Sequence, residues 1–359
     1  MGKIIYPRIE INIGKIRENT EYVVDYCGKK GIEIMGISKG ICAMPQLVEA
    51  MVEGGIRKIG DSRIQNIVNM VEYGINAQMY LIRIPMLCEI DDLVKYTLGS
   101  LNSELDTIKA ISESAKMQNK IHNVILMVDV GDLREGVWPD KVLDIVGEII
   151  KLPNIKLEGL GANVGCYGGV LPTYENTKIL VDLANDIEKE YGLNIETISG
   201  GSTLTLDILE KGEIAKGITQ FRIGEAILLG RDTTNFRIVP GTIQDTVKLK
   251  AQVIEVKTKP SVPIGKIGRD AFGNIPNHKD MGNIKRAIVA VGKQDCRIEA
   301  LTPVDEDIEI MGGSSDHLLL NISNAKYDVN VGDIVEFDVF YSAMLSLMTS
   351  KYVNRSIVG

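Results

Sequence analysis

Lys39 ends an apolar run, IEIMGIS (32–38), and is followed at once by Gly40. A lysine at the end of a buried strand is partly desolvated, which lowers its pKa and makes the amine a nucleophile for a carbonyl group. Taken alone, the position also fits a lysine that snorkels to solvent or pairs with a carboxylate. Two glycine loops shift the balance. FRIGEAILLG (221–230) sets Arg222 and Gly224 at the end of an apolar stretch, and ISGGSTLTL (198–206) supplies glycines with hydroxyls, Ser202 among them. Glycine lets a ligand approach the backbone, and successive N–H groups hold a phosphate. An amine beside an anion cradle is the equipment for binding a phosphorylated aldehyde.

The elements that must position these groups are legible in the apolar periodicity. Strand-like runs at 32–38, 56–61, 79–84, 124–130, 155–164, 195–201 and 220–230 alternate with helical stretches at 45–55, 103–118, 140–151 and 173–192. Continuous apolar strands separated by amphipathic helices imply a parallel sheet under helices. About eight such units in roughly 220 residues favour a closed (β/α)8 barrel over an open sheet, with the active face at the C-terminal strand ends. Beyond residue 232 the texture changes to short alternating runs such as VKLKAQVIEV, HLLLNIS and DIVEFDVFY, broken by Gly, Pro, Asn and Asp. That is an antiparallel β pattern. The expected domains are therefore residues 1–232 and 233–359, with the N-terminal strand free to pack on the second.

Composition narrows the function classes. The chain has 359 residues and a formal net charge of −8, which argues against nucleic acid as the main partner. Its five cysteines are odd in number and form no CxxC pair, as expected of reduced thiols in a cytoplasmic protein. MGKIIYPRIEIN shows no leader pattern, and no run of about 18 apolar residues suggests a membrane span. His122, His278 and His317 are too scattered for a metal site, so none is expected. Trp138 reads as a packing residue after a loop.

GISKGIC, IGDSRIQN, SGGST, FRIGEAILLG and the tail FYSAMLSLMTSKYVNR together resemble the fold-type III pyridoxal-phosphate enzymes of the alanine/ornithine racemase family. The resemblance covers almost the whole chain. It implies a barrel plus β domain, pyridoxal 5'-phosphate as cofactor, and a head-to-tail homodimer whose active sites are shared between subunits. It implies an amino-acid racemase, with ornithine the expected substrate. Residue by residue, it implies that Lys39 forms the internal aldimine and is the base on one face. Arg222 faces the pyridine nitrogen, and Asn163 stands where family members have a ring-stacking histidine. Ser202, the backbone of Gly224 and Glu225, and Tyr341 bind the phosphate. Arg134 and Asp316 serve the substrate carboxylate, Arg134 alternatively a cofactor oxygen. An arginine at the ring nitrogen, always protonated itself, disfavours a proton there and favours racemisation over transamination. A decarboxylase of the same fold typically carries glutamate at that place, and the small pyridoxal-phosphate carrier proteins lack the β domain.

Three departures from the alanine racemases stand out. Ile264 occupies the place of the tyrosine that is the opposite-face base, Ala43 lies near a missing phosphate-binding tyrosine, and Met127 replaces a lysine. Lys266, Asp270, His278, Asp295 and Cys296 lie in the right segments to supply the second base. A cationic substrate also needs an acidic partner, for which Asp270, Asp295 and Asp316 are candidates.

Overall fold

The structure, a computed structural model, describes residues 4–359; the first three residues of the N-terminal stretch read for a leader lie outside them. The chain divides into two compact units. One comprises residues 13–244, the other the N-terminal residues through Asn12 together with Asp245–Gly359.

In residues 13–244, eight parallel strands close into a barrel. After an N-terminal strand, β1 (Arg8–Asn12), they are β2 (Glu33–Ile37), β3 (Lys58–Asp61), β4 (Gln78–Leu81), β5 (Gly99–Asn102), β6 (His122–Met127), β7 (Ile155–Gly161), β8 (Thr197–Ser202) and β9 (Gln220–Ile223). Closure is made by β9 pairing with β2, Gln220 opposite Glu33 and Arg222 opposite Met35. The barrel interior is packed by Met35, Ile37, Tyr80, Leu101, Ile125 and Met127. Helices cover the outside through apolar stripes. In VLDIVGEI (Val142–Ile149) the buried residues Val142, Val146 and Ile149 recur at helical spacing. The long helix Tyr174–Tyr191 starts at a capping box, where Thr173 Oγ1 accepts from Asn176 N at 3.3 Å and Asn176 Oδ1 accepts from Thr173 N at 2.9 Å.

The sequence reading differs from this barrel in three places. The run expected as strand over 220–230 is strand only to Ile223; Gly224 ends it, and Glu225–Leu229 is a short helix. Gly99–Asn102 is a strand that the apolar pattern does not announce, because GSLN carries one apolar side chain, Leu101. Trp138 is 53% exposed rather than packed.

The second unit is an antiparallel sheet built around β10 (Val247–Pro260), which is 14 residues long. Its first half pairs with Ile334–Val339 and with β1, its second half with Asn283–Val289. Alternate side chains Val247, Leu249, Ala251 and Val253 are buried, the period-2 pattern of a half-buried strand. β1 also pairs in parallel with Asn354–Val358. Between Pro260 and Asn283 the chain has no regular structure, and Ile264 there is 92% exposed. Among the described residues, no helix is long and apolar enough to cross a membrane.

Candidate active site

The C-terminal ends of the barrel strands surround a cavity of about 300 Å³ lined by Lys39, Arg83, Arg134, Glu135, Asn163 and Arg222, with Ile82, Ile84, Leu101 and Met127 as apolar wall. Lys39 enters from the turn after β2. That turn is tightly built: Ala43 N donates to Ser38 O at 3.1 Å, and Cys42 and Ala43 both take the left-handed conformation, at φ 48° and 49°. Non-glycine residues adopt that conformation at a cost, which the surrounding packing must offset. Beneath the turn lies Asp61, fully buried at the end of β3. Its carboxylate accepts from Ser38 Oγ at 2.6 Å, Arg63 N at 2.9 Å and Asn66 Nδ2 at 3.0 Å. Burial is the largest influence on the Lys39 amine and pulls its pKa below the ordinary lysine range; interactions with Cys166 and Asp61 oppose this, and Arg134 and Arg222 reinforce it.

Arg222 is held from below by the same barrel. Nη1 donates to Ser199 Oγ at 2.6 Å and to Ser199 O at 3.2 Å, and Nη2 to Ala162 O at 2.6 Å. Ser199 Oγ in turn donates to Gln220 Oε1 at 3.0 Å. Burial draws the guanidinium down to about 10, so it remains charged at neutral pH. Its neighbour strand carries an irregularity: between Ser199 and Ser202 the register of β8 against β9 slips. Gly201 sits in that slip at φ 150°, and a Cβ there would lie 2.0 Å from Thr205 Oγ1, so glycine is required.

Ser202 leads from β8 into the short turn Thr203–Thr205, and Gly224 precedes the helix Glu225–Leu229. Both stand at the cavity end of the barrel, where helical N–H groups lack intrahelical partners. The Glu225 carboxylate turns away, accepting from Thr233 N and Oγ1, and burial raises its pKa. Arg134 lies on the loop after β6, shaped by Asp129, which accepts from Gly131 N and Leu133 N, and by buried Asp132, which accepts from Tyr167 N and Val170 N. The Arg134 guanidinium forms a two-pronged pair with Glu135. Asn163 Nδ2 is buried without a hydrogen-bond partner, an orphaned donor in the cavity wall.

Four of the nine residues singled out in the sequence thus line one cavity: Lys39, Arg134, Asn163 and Arg222. Ser202, Gly224 and Glu225 stand at adjacent strand ends of the same barrel. Tyr341 and Asp316 belong to the second unit. Tyr341 opens the helix Tyr341–Leu347, and exposed Asp316 accepts from Ser315 Oγ at 2.8 Å. Also in that unit, Asp295 is buried and bound by Ser350 Oγ, and burial pushes the Cys296 thiol up to about 12. Sequence reasoning missed Arg83 and Glu135 as lining residues. Glu135 had a signal, since it adjoins Arg134; Arg83, in an apolar strand run, had none. Among the described residues, no group of three or more His, Cys, Asp or Glu is placed to hold a metal.

Residues 11–232 match the family model for the alanine racemase N-terminal domain. The chain is 43% identical to the ornithine racemase of Acetoanaerobium sticklandii over 355 residues, covering 99% of this chain and 100% of that protein. It is equally 43% identical to the lysine racemase of Thermotoga maritima, over 98% of each chain. Among solved structures, an alanine racemase from Clostridium difficile 630 has the same fold, with a TM-score of 0.76 at 19% identity, covering 99% of this chain and 97% of that one.

Proposed function

Since the chain belongs to the alanine racemase family, we propose that it is a pyridoxal 5'-phosphate-dependent amino-acid racemase whose substrate is a basic amino acid, ornithine first and lysine second. The observation that carries this reading is the meeting of a pKa-lowered lysine amine and a buried, fully bonded guanidinium in one cavity at the mouth of the barrel.

The residues suit the cofactor. The Asn163 donor without a partner waits for an acceptor, and the slip at Gly201 brings backbone and the Ser202 hydroxyl to the same rim. Lys39 would hold the aldehyde carbon, Arg222 would face the ring nitrogen, and Asn163 would lie against the ring. Ser202, the backbone of Gly224 and Glu225, and Tyr341 would take the phosphate. Bound there, the group withdraws electrons from the substrate α-carbon and so makes its hydrogen acidic. The chain's own residues do the rest. Lys39, with its pKa lowered by burial, removes or returns the proton at the α-carbon on one face. Arg222 keeps its charge and offers no exchangeable basic site, so electron density stays near the α-carbon and reprotonation there is favoured. Arg134 orients the substrate carboxylate or the ring oxygen, and Asp316 lies near that carboxylate. Ile264, at the place of the family tyrosine, has no proton to move, so a different group serves the opposite face. The protein acts in the cytoplasm as a head-to-tail homodimer with shared sites.

Incubation of single enantiomers of ornithine, lysine, arginine and alanine with cofactor-loaded protein in D2O tests this directly. Chiral analysis should show inversion with deuterium at the α-carbon, fastest for ornithine or lysine. Release of CO2 would identify a decarboxylase instead, and absence of turnover with every amino acid would identify a carrier.

A further inference from the structure

Arg83 is the least expected member of the cavity wall, standing in an apolar run between Ile82 and Ile84. Its guanidinium is locked from three directions. Nε donates to Ser62 O at 3.0 Å, Nη1 to Ile84 O at 3.1 Å and Nη2 to Glu89 Oε1 at 2.5 Å. Glu89 is itself 6% exposed, and Oε1 also accepts from Met86 N at 3.0 Å. Its other oxygen, Oε2, is buried with no partner. The carboxylate therefore spends its interactions on fixing Arg83 and the turn that carries it. A guanidinium has five N–H groups, and these protein contacts use three. One N–H on each terminal nitrogen is left over, in a cavity whose apolar wall is Ile82, Ile84, Leu101 and Met127. Apolar surroundings strengthen any ion pair formed there.

Arg134 offers a contrast. It lies on a loop, and two of its nitrogens are already committed to the adjacent Glu135. Of the two, Arg83 is the rigid, pre-positioned cation, and rigidity is what fixes a substrate's orientation. We propose that Arg83 receives the α-carboxylate of the amino-acid substrate, with Glu89 as its positioning residue, while Arg134 serves the cofactor oxygen. This rests on the reading of the cavity as an amino-acid site.

The test uses cofactor-loaded protein and compares equilibrium binding of ornithine with that of 1,4-diaminobutane, the same molecule without its carboxylate. Arg83→Gln should weaken ornithine about 10- to 100-fold, the range for a lost hydrogen bond to a charged group, and leave the diamine unchanged. Arg83→Lys should fall between, because it keeps the charge and loses the fork. Since Arg83→Gln strands a buried carboxylate, the double variant Arg83→Gln/Glu89→Gln provides a charge-balanced check and should show the same selective loss. KM should rise with kcat little changed. Equal weakening of both ligands, unchanged ornithine binding, or a loss confined to cofactor affinity would each overturn the assignment; the last would give Arg83 to the phosphate. If the wild-type protein binds amino acids without inverting them, the racemase reading falls and the binding comparison still decides Arg83.

Discussion

At the N-terminal end of the barrel, Glu158 accepts from Tyr80 Oη at 2.8 Å, Asn123 Nδ2 at 3.0 Å and Thr197 Oγ1 at 3.2 Å, and pairs with Lys58 at 3.3 Å. At the C-terminal end the arrangement is the other way round: Lys39, Arg83 and Asn163 line the cavity and keep hydrogen-bonding capacity that protein groups do not use. Both ends carry buried charge within one barrel. The closed end pairs the Glu158 charge internally, the residue being supplied by the slip between Val124/Ile125 and Leu157/Gly159 in the pairing of β6 and β7, although His122 Nδ1 and Gln220 Nε2 there lack partners. The open end leaves donors facing a cavity. A satisfied buried network contributes to a unique packing, whereas unsatisfied donors cost stability unless a ligand completes them. Stability at one end and function at the other is the division expected of this architecture.

The sharpest way to break this contrast is Lys39→Ala. Turnover should drop about 10,000-fold, the upper range for a lost acid–base group, and borohydride should no longer trap a cofactor adduct on the peptide containing residue 39. The unfolding midpoint should change little. A trapped adduct in this variant would place the chemistry elsewhere. Glu158→Ala should give the opposite result: a loss of about 3–5 kcal/mol in denaturant unfolding, because Tyr80, Asn123 and Thr197 lose their shared acceptor and Lys58 keeps only Glu33, with adduct formation retained in the folded fraction. A stability change below about 1 kcal/mol would show that the closed end is not the structural one.

His122, at the start of β6 and 1% exposed, adds a pH dependence. Burial lowers its pKa from 6.5 to about 4. The unfolded chain therefore binds more protons between those values. The contribution is fully present above pH 6.5 and is lost as pH falls toward 4, about 3 kcal/mol in all. His122→Asn should flatten the acid limb of a stability–pH curve; an unchanged limb would remove His122 from the account. The smallest effect belongs to Tyr80→Phe, which deletes one hydroxyl from Glu158 and should cost about 1 kcal/mol by denaturant titration, without changing ornithine binding.

Much of the site could be read from local pattern. Lys39 ends its strand in an apolar run, and Arg222 and the glycines of SGGS lie in short motifs that mark them before their spatial partners are known. Arg83, Glu158 and Asp61 could not be read this way. Arg83 depends on Ser62 and Glu89 from two different turns, and Glu158 on residues up to 100 positions away, Lys58 among them. β5 escaped because parallel strands inside a barrel are defined by their pairing as much as by hydrophobicity, and GSLN has little of the latter. FRIGEAILLG misled for the converse reason. Its apolar residues continue past Gly224, but the backbone changes from strand to helix there, and both forms bury them.

What the sequence determined on its own is the alternation of elements, the change of texture past the barrel, and which amine ends a buried strand; each follows from periodicity and from the few residue types that chemistry requires. What only the tertiary structure decided is which polar groups are spent on one another and which are left for a ligand. That distinction depends on closing eight strands into a ring, because closure brings Glu158 to Lys58 and Arg83 to Ser62, and leaves Asn163 with a donor and no acceptor.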